Sequence, residues 1–127
     1  MPAKYKVVQK VNPRDPQGAR KFYPILVSNG RSNQRKLALE AADRSTLSDA
    51  DMDAALTNLL ALIPKHLAEG HIVDLGEFGS FRLTIRTDGE ELAEDVTVRN
   101  IKKVGVRFVP GAAFRKTMED TRFEKTE

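Results

Sequence analysis

The 127 residues, 40% apolar and 31% charged, have room for one compact domain and are too apolar for a disordered chain. There is no cysteine, which excludes disulfides and thiolate chemistry. No N-terminal apolar run suits a signal peptide and none approaches the ~20 residues that span a bilayer, so a cytoplasmic chain without a membrane partner is expected.

The net charge of +3 hides a segregation. Residues 1–36 carry nine bases against one acid, residues 37–80 two against eight, and residues 81–107 six against five. Basic charge gathered in particular segments suits a surface that meets a polyanion.

In chain order, residues 4–11 and 21–27 are rich in Val, Ile, Tyr and Phe, and the Asn, Pro and Gly residues between them supply turn chemistry. They read as a loose hairpin, with Pro24 placing its strand at a sheet edge or a bulge. Ser32 or Asn33 can cap a short helix running to about Arg44, with Leu37, Ala38, Ala41 and Ala42 on one face. Ser48 caps a longer helix that Gly70 ends, and Asp51 completes a capping-box pattern. Met52, Ala55, Leu56, Leu59, Ile63 and Leu67 recur at helical spacing, and Leu60 and Leu62 widen the stripe beyond one face. So broad a stripe predicts burial on two sides, as a dimer seam would provide. Pro64 removes one hydrogen bond of this helix and predicts a kink near Leu60.

From His71 the period changes to two. Phe81, Leu83 and Ile85 alternate with Arg82, Thr84 and Arg86; Val96 and Val98 alternate likewise, and Val104, Val106 and Phe108 mark the last strand of this group. The polar stretch 87–95 must hold a turn, and Ala113, Phe114, Thr117 and Met118 suit a short final helix after Pro110-Gly111.

The order helix, helix, strand, glycine turn, long hairpin, Phe-x-Pro-Gly and short helix resembles the bacterial histone-like HU and integration-host-factor family. The residues that carry the likeness are Gly76-Glu77-Phe78-Gly79-Ser80-Phe81, Phe108-Val109-Pro110-Gly111 and Leu47-Ser48. It covers residues 32–120, leaving residues 1–31 as a basic hairpin extension of a divergent branch and 121–127 as a tail. The resemblance implies an α+β fold: a two-helix body, a three-stranded antiparallel sheet with an extended β-ribbon arm and a short C-terminal helix, intertwined as a homodimer. It further implies a nucleoid-associated architectural role, with DNA held mainly by its backbone in the minor groove and a proline near each arm tip wedging between base steps.

This sequence departs from that pattern at the tip. Residues 87–95 hold no proline and five acids, so a grip on phosphates with weak sequence preference is expected in place of a wedge. Candidate DNA contacts are Arg82, Thr84, Arg86, Arg99, Lys102, Lys103 and Arg107 on the arm and Lys4, Lys6, Lys10, Arg14, Arg20 and Lys21 on the hairpin; Arg86 matches an arginine of the family. Candidate core and dimer-seam residues are Leu56, Leu59, Leu60, Ile63, Leu67, Phe78, Phe81 and Phe108. Two alternatives keep the fold and change the partner: a protein-interaction module using the acidic tips, or a binder of RNA or branched DNA.

Neither an enzyme, a cofactor nor a small-molecule substrate is expected, for no catalytic constellation occurs. Asp49, Asp51 and Asp53 mimic the opening of a calcium loop but lack its glycine and closing glutamate. His66 and His71, five apart across a helix end with no cysteine to share an ion, are not read as a metal site.

Overall fold

The structure, a computed structural model, describes residues 1–126. Its strands and α-helices are β1 (Ala3–Lys10), β2 (Lys21–Val27), α1 (Gln34–Asp43), α2 (Asp49–Ala68), β3 (Val73–Asp74), β4 (Gly79–Thr87), β5 (Ile101–Pro110), α3 (Ala112–Glu119) and β6 (Phe123–Lys125). The fold is mixed α+β, with three α-helices and two three-stranded sheets. Two compact units result, Gln34–Lys116 and the two chain ends together, Met1–Asn33 with Thr117–Glu127.

Within the first unit, α2 begins where Ser48 accepts the Asp51 N–H through its hydroxyl (3.1 Å), and Asp49 and Asp51 set negative charge against the helix N-terminus. The helix is continuous across Pro64. Helix α1 packs on it through Ala38 and Ala42, both buried, and the Gln34 amide donates to Thr57 Oγ1 (2.6 Å) and Asp53 Oδ1 (3.2 Å).

The sheet order is β3-β4-β5, antiparallel throughout. A short 3-10 turn at Gly76–Phe78 feeds β4, and Gly79 follows at φ +141° with its α-carbon pressed against β5. A β-carbon there would sit 2.5 Å from Val109 O and 2.7 Å from the Phe108 ring, so both the dihedral and the space require glycine. Beside it Phe78, Phe81, Phe108 and Phe114 form one aromatic cluster, with ring centroids 4.8–5.5 Å apart.

The apolar residues buried in the single chain are few: Ala38, Ala42 and Leu67 among the described residues, none of them large and below 2% exposure. Of the expected core, Leu56, Ile63, Phe81 and Phe108 are half-buried. Leu59, Leu60 and Phe78 stay 49, 46 and 48% exposed.

The expected strand through Val96 and Val98 does not form. Residues Ala93–Asp95 and Val98–Asn100 are 3-10 turns instead. The cause is a capping box: the Thr97 hydroxyl accepts the Arg99 N–H (3.3 Å) while the Thr97 N–H donates to Asn100 Oδ1 (2.9 Å), a side-chain exchange that outcompetes an isolated two-valine alternation.

In the unit of the chain ends, β1 and β2 pair antiparallel from Lys4↔Val27 to Lys10↔Lys21, and β6 joins the free side of β1 in parallel. Strand β2 is an edge, as Pro24 requires. Pairing puts all four lysines of the hairpin strands on one face, Lys4, Lys6, Lys10 and Lys21 together with Val8, Tyr23, Ile25 and Val27, and leaves Tyr5, Val7, Gln9, Phe22, Pro24 and Leu26 on the other. The apolar face, with Phe123 of β6, lines a groove of about 680 Å³.

Candidate nucleic-acid interface

The ribbon of β4 and β5 sorts its side chains by register. Arg82 stands opposite Arg107, Thr84 opposite Gly105, and Arg86 opposite Lys103, all on one face. Phe81, Leu83 and Ile85 face Phe108, Val106 and Val104 on the other. Four cations thus surround a central position where Gly105 contributes no side chain. A depression of about 270 Å³ opens there, lined by Thr84, Arg86, Lys103, Gly105 and the Ile85 segment.

All four cations are exposed, and among the described residues none of them makes an ion pair. Like charges placed directly across a ladder disfavour the pairing that holds them. Arg82 against Arg107 and Arg86 against Lys103 therefore weaken the ribbon while concentrating positive potential on one face.

The remaining arm candidates lie elsewhere. The register slips between Arg86 and Thr87, where Thr87 pairs with Ile101 and Lys102 is left in the bulge. Lys102 turns toward the tip and pairs with Asp88 (3.4 Å). Arg99 sits in the Val98–Asn100 turn, before the strand begins.

The tip is built around Asn100, buried at 7% exposure. Its amide Nδ2 donates to Asp88 Oδ1 and Glu90 Oε1, both at 3.1 Å, and its backbone carbonyl accepts the Asp88 N–H at 3.0 Å. Two of the five tip acids are thereby drawn onto one neutral amide, and one of these also meets Lys102. Leu92, Val96 and Val98 project from the same tip at 55, 55 and 79% exposure. Sequence reasoning missed Asn100; the signal was Thr97-x-x-Asn100, a capping-box spacing inside a stretch read as strand.

On the hairpin, Lys4, Lys6, Lys10 and Lys21 share the face described above, and Lys10 lies over the Tyr23 ring (5.9 Å to its centroid). Arg14 and Arg20 sit in the connecting loop, outside that face, where the Arg14 N–H donates to Asn12 Oδ1 (3.0 Å).

A two-helix body, a Gly-Phe turn and a long antiparallel ribbon define an HU-type α+β chain. Residues 1–125 match the model of the family described as an HU domain fused to wHTH, Ig, or glycine-rich motif, and the chain belongs to that family. The match includes the N-terminal hairpin. Among solved structures the chain is similar to a protein from Bacteroides vulgatus provisionally described as a bacterial DNA-binding protein: TM-score 0.67, 14% identity, covering 97% of this chain and 47% of that one. The chain thus spans about half the length of that neighbour. No curated protein matches the sequence.

Proposed function

We propose that the chain is a DNA-binding, nucleoid-associated architectural protein that acts as a homodimer and grips the phosphate backbone with little regard for sequence. The observation that carries this reading is the basic ribbon face, Arg82 and Arg107 with Arg86 and Lys103 around the side-chain-free position at Gly105. Arginine forks suit phosphate oxygens, and contacts to phosphates fix position without reading bases. Cross-strand repulsion that weakens the free ribbon is relieved when phosphates enter the face, so the arrangement favours an anionic partner over none. The backbone is met mainly along the minor groove. Bending, where it occurs, comes from wrapping rather than from a proline wedge.

Support for the dimer comes from the single chain's shortage of core. Leu59, Leu60 and Leu62 lie about half-exposed along α2, next to only three buried apolar residues among those described. A second copy laid on that stripe removes it from water, at roughly 25 cal/mol for each Å² of apolar surface covered. In the proposed division, residues 32–120 are the HU-like domain, 1–31 the basic extension and 121–127 the tail, in a bacterial cytoplasm.

Anisotropy measurements on several unrelated duplexes, each across a salt series, test the reading. Similar affinities on all of them, falling steeply with salt, are expected. A dimer that binds no duplex at low salt would instead favour a protein partner for the tip, where Leu92, Val96 and Val98 are exposed beside the acids.

A further inference from the structure

The last turn of α2 closes in a Schellman motif. The Gly70 N–H donates to Leu67 O (3.0 Å) and the His71 N–H to His66 O (3.1 Å), with Gly70 at φ +85° turning the chain out of the helix. The longer of these loops has a side-chain consequence: the two residues it joins are brought into contact, usually as an apolar pair. Here both are histidines, their ring centroids 5.6 Å apart. Glu69 lies between them in sequence, with Oε2 3.6 Å from His71 Nδ1. One ligand atom from each of the three lies within 4.8 Å of the other two. Five-residue spacing across a helix end hides this, because the contact depends on the glycine's backbone turn and not on helical periodicity.

We propose that His66, Glu69 and His71 form a surface site for one divalent transition-metal ion of the zinc class. Two imidazoles and a carboxylate are the donor set that Zn²⁺, Ni²⁺ and Cu²⁺ accept, whereas Mg²⁺ and Ca²⁺ call for oxygen alone. At bonds of about 2.0–2.1 Å, the ligands of a tetrahedral ion stand about 3.4 Å apart. The three groups must close by little more than an ångström, which exposed side chains do by small rotamer changes while the hydrogen-bonded backbone stays in place. The helix C-terminus carries partial negative charge and adds to the attraction for a cation. Water completes the coordination. The bound ion ties the end of α2 to the segment entering β3, and so braces the connection between the helical body and the sheet.

The test is a calorimetric titration of the untagged full chain with Zn²⁺ and Ni²⁺, with Mg²⁺ as control, while histidine ring signals are followed by NMR. One ion per chain is expected, with both histidines responding together and no heat from Mg²⁺. His66→Ala or His71→Ala each weakens binding at least roughly tenfold, the scale on which even outer-shell partners act. Glu69→Gln weakens it less than either. All three substitutions change exposed side chains, and a thermal melt without metal checks that the fold is retained. Failure of the intact chain to bind zinc, equal affinity in either histidine variant, or a response from only one histidine overturns the proposal. None of these outcomes bears on the basic ribbon, which shares no residue with the site.

Discussion

Replacing Arg82 and Arg86 by Ala together removes one strand's half of the basic ribbon face and leaves Lys103 and Arg107 opposite. Both arginines are exposed, and their removal relieves Arg107 and Lys103 of a like-charged cross-strand neighbour, so the ribbon is expected to fold at least as well as before. The proposed homodimer would present two such ribbons, hence eight face cations before the substitution and four after it. Each phosphate contact contributes about 0.9 to the slope of log affinity against log salt, so the variant's slope should be shallower by about 3.6 if all eight engage. In practical terms, raising salt from about 50 to 200 mM should weaken native binding roughly 10⁴-fold and variant binding roughly 10²-fold. Anisotropy on AT-rich and GC-rich duplexes of equal length provides the readout, with the loss expected to be the same on both. An unchanged slope would remove the ribbon face from the interface. A loss confined to one duplex would show that these arginines read bases.

The hairpin lysines offer a parallel test: Lys4, Lys6, Lys10 and Lys21 to Ala should flatten the salt slope further if that face meets DNA, while an unchanged slope would leave it as a charged guard on an edge strand. Leu59→Lys with Leu60→Lys discriminates monomer from dimer. At half-exposed sites of a monomer the pair should shift stability by roughly 0.5 kcal/mol or less each, whereas a dimer seam should dissociate in sedimentation equilibrium. A dimer that persists unaltered would move the seam away from α2. Asn100→Asp keeps the shape of the buried amide but turns both its donors into acceptors facing Asp88 and Glu90. Urea denaturation should show a loss of roughly 2 kcal/mol, with faster amide exchange at Asp88 and Thr97; unchanged protection there would refute the assigned role of Asn100.

Where local chemistry decided the outcome, the sequence was readable. Ser48, Gly70 and Pro24 mark a helix start, a helix end and an edge strand because each acts through its own dihedral or hydrogen bond, and the structure has all three in those roles. The alternation from Phe81 to Arg86 located β4 and its two faces. What was not readable depended on pairing. Strand β6 has three residues and exists because Ala3–Tyr5 offers a free edge, a fact absent from Phe123-Glu124-Lys125 itself. The bulge that diverts Lys102 from the ribbon face toward Asp88 is a one-residue register slip, invisible before the partner strand is known. Arg99, Lys102, Lys103 and Arg107 read alike as basic residues near one strand; register alone distributes them among a tip turn, a bulge and the ribbon face.

The acidic tip and the basic ribbon face belong to one electrostatic design under the proposed reading. Five acids beside a phosphate grip would oppose binding if all of them faced the duplex. Asn100 changes the sum: its amide donates to Asp88 and Glu90, and Lys102 pairs with Asp88 again, so the two acids nearest the ribbon are partnered within the tip although both stay exposed. Glu91, Glu94 and Asp95 lie beyond them, exposed and outside the Asn100 hydrogen bonds, next to Leu92 and Val96. The ribbon can therefore take phosphates along its stem while its far end repels a second approach of the backbone. This polarity limits how deeply the arm lies along DNA. An arm of this kind holds DNA at its base, in contrast to one that inserts a wedge at its end, and Asn100→Asp should weaken DNA binding even in the fraction of molecules that remains folded. Equal affinity of the folded variant and the native chain would separate the tip from the grip.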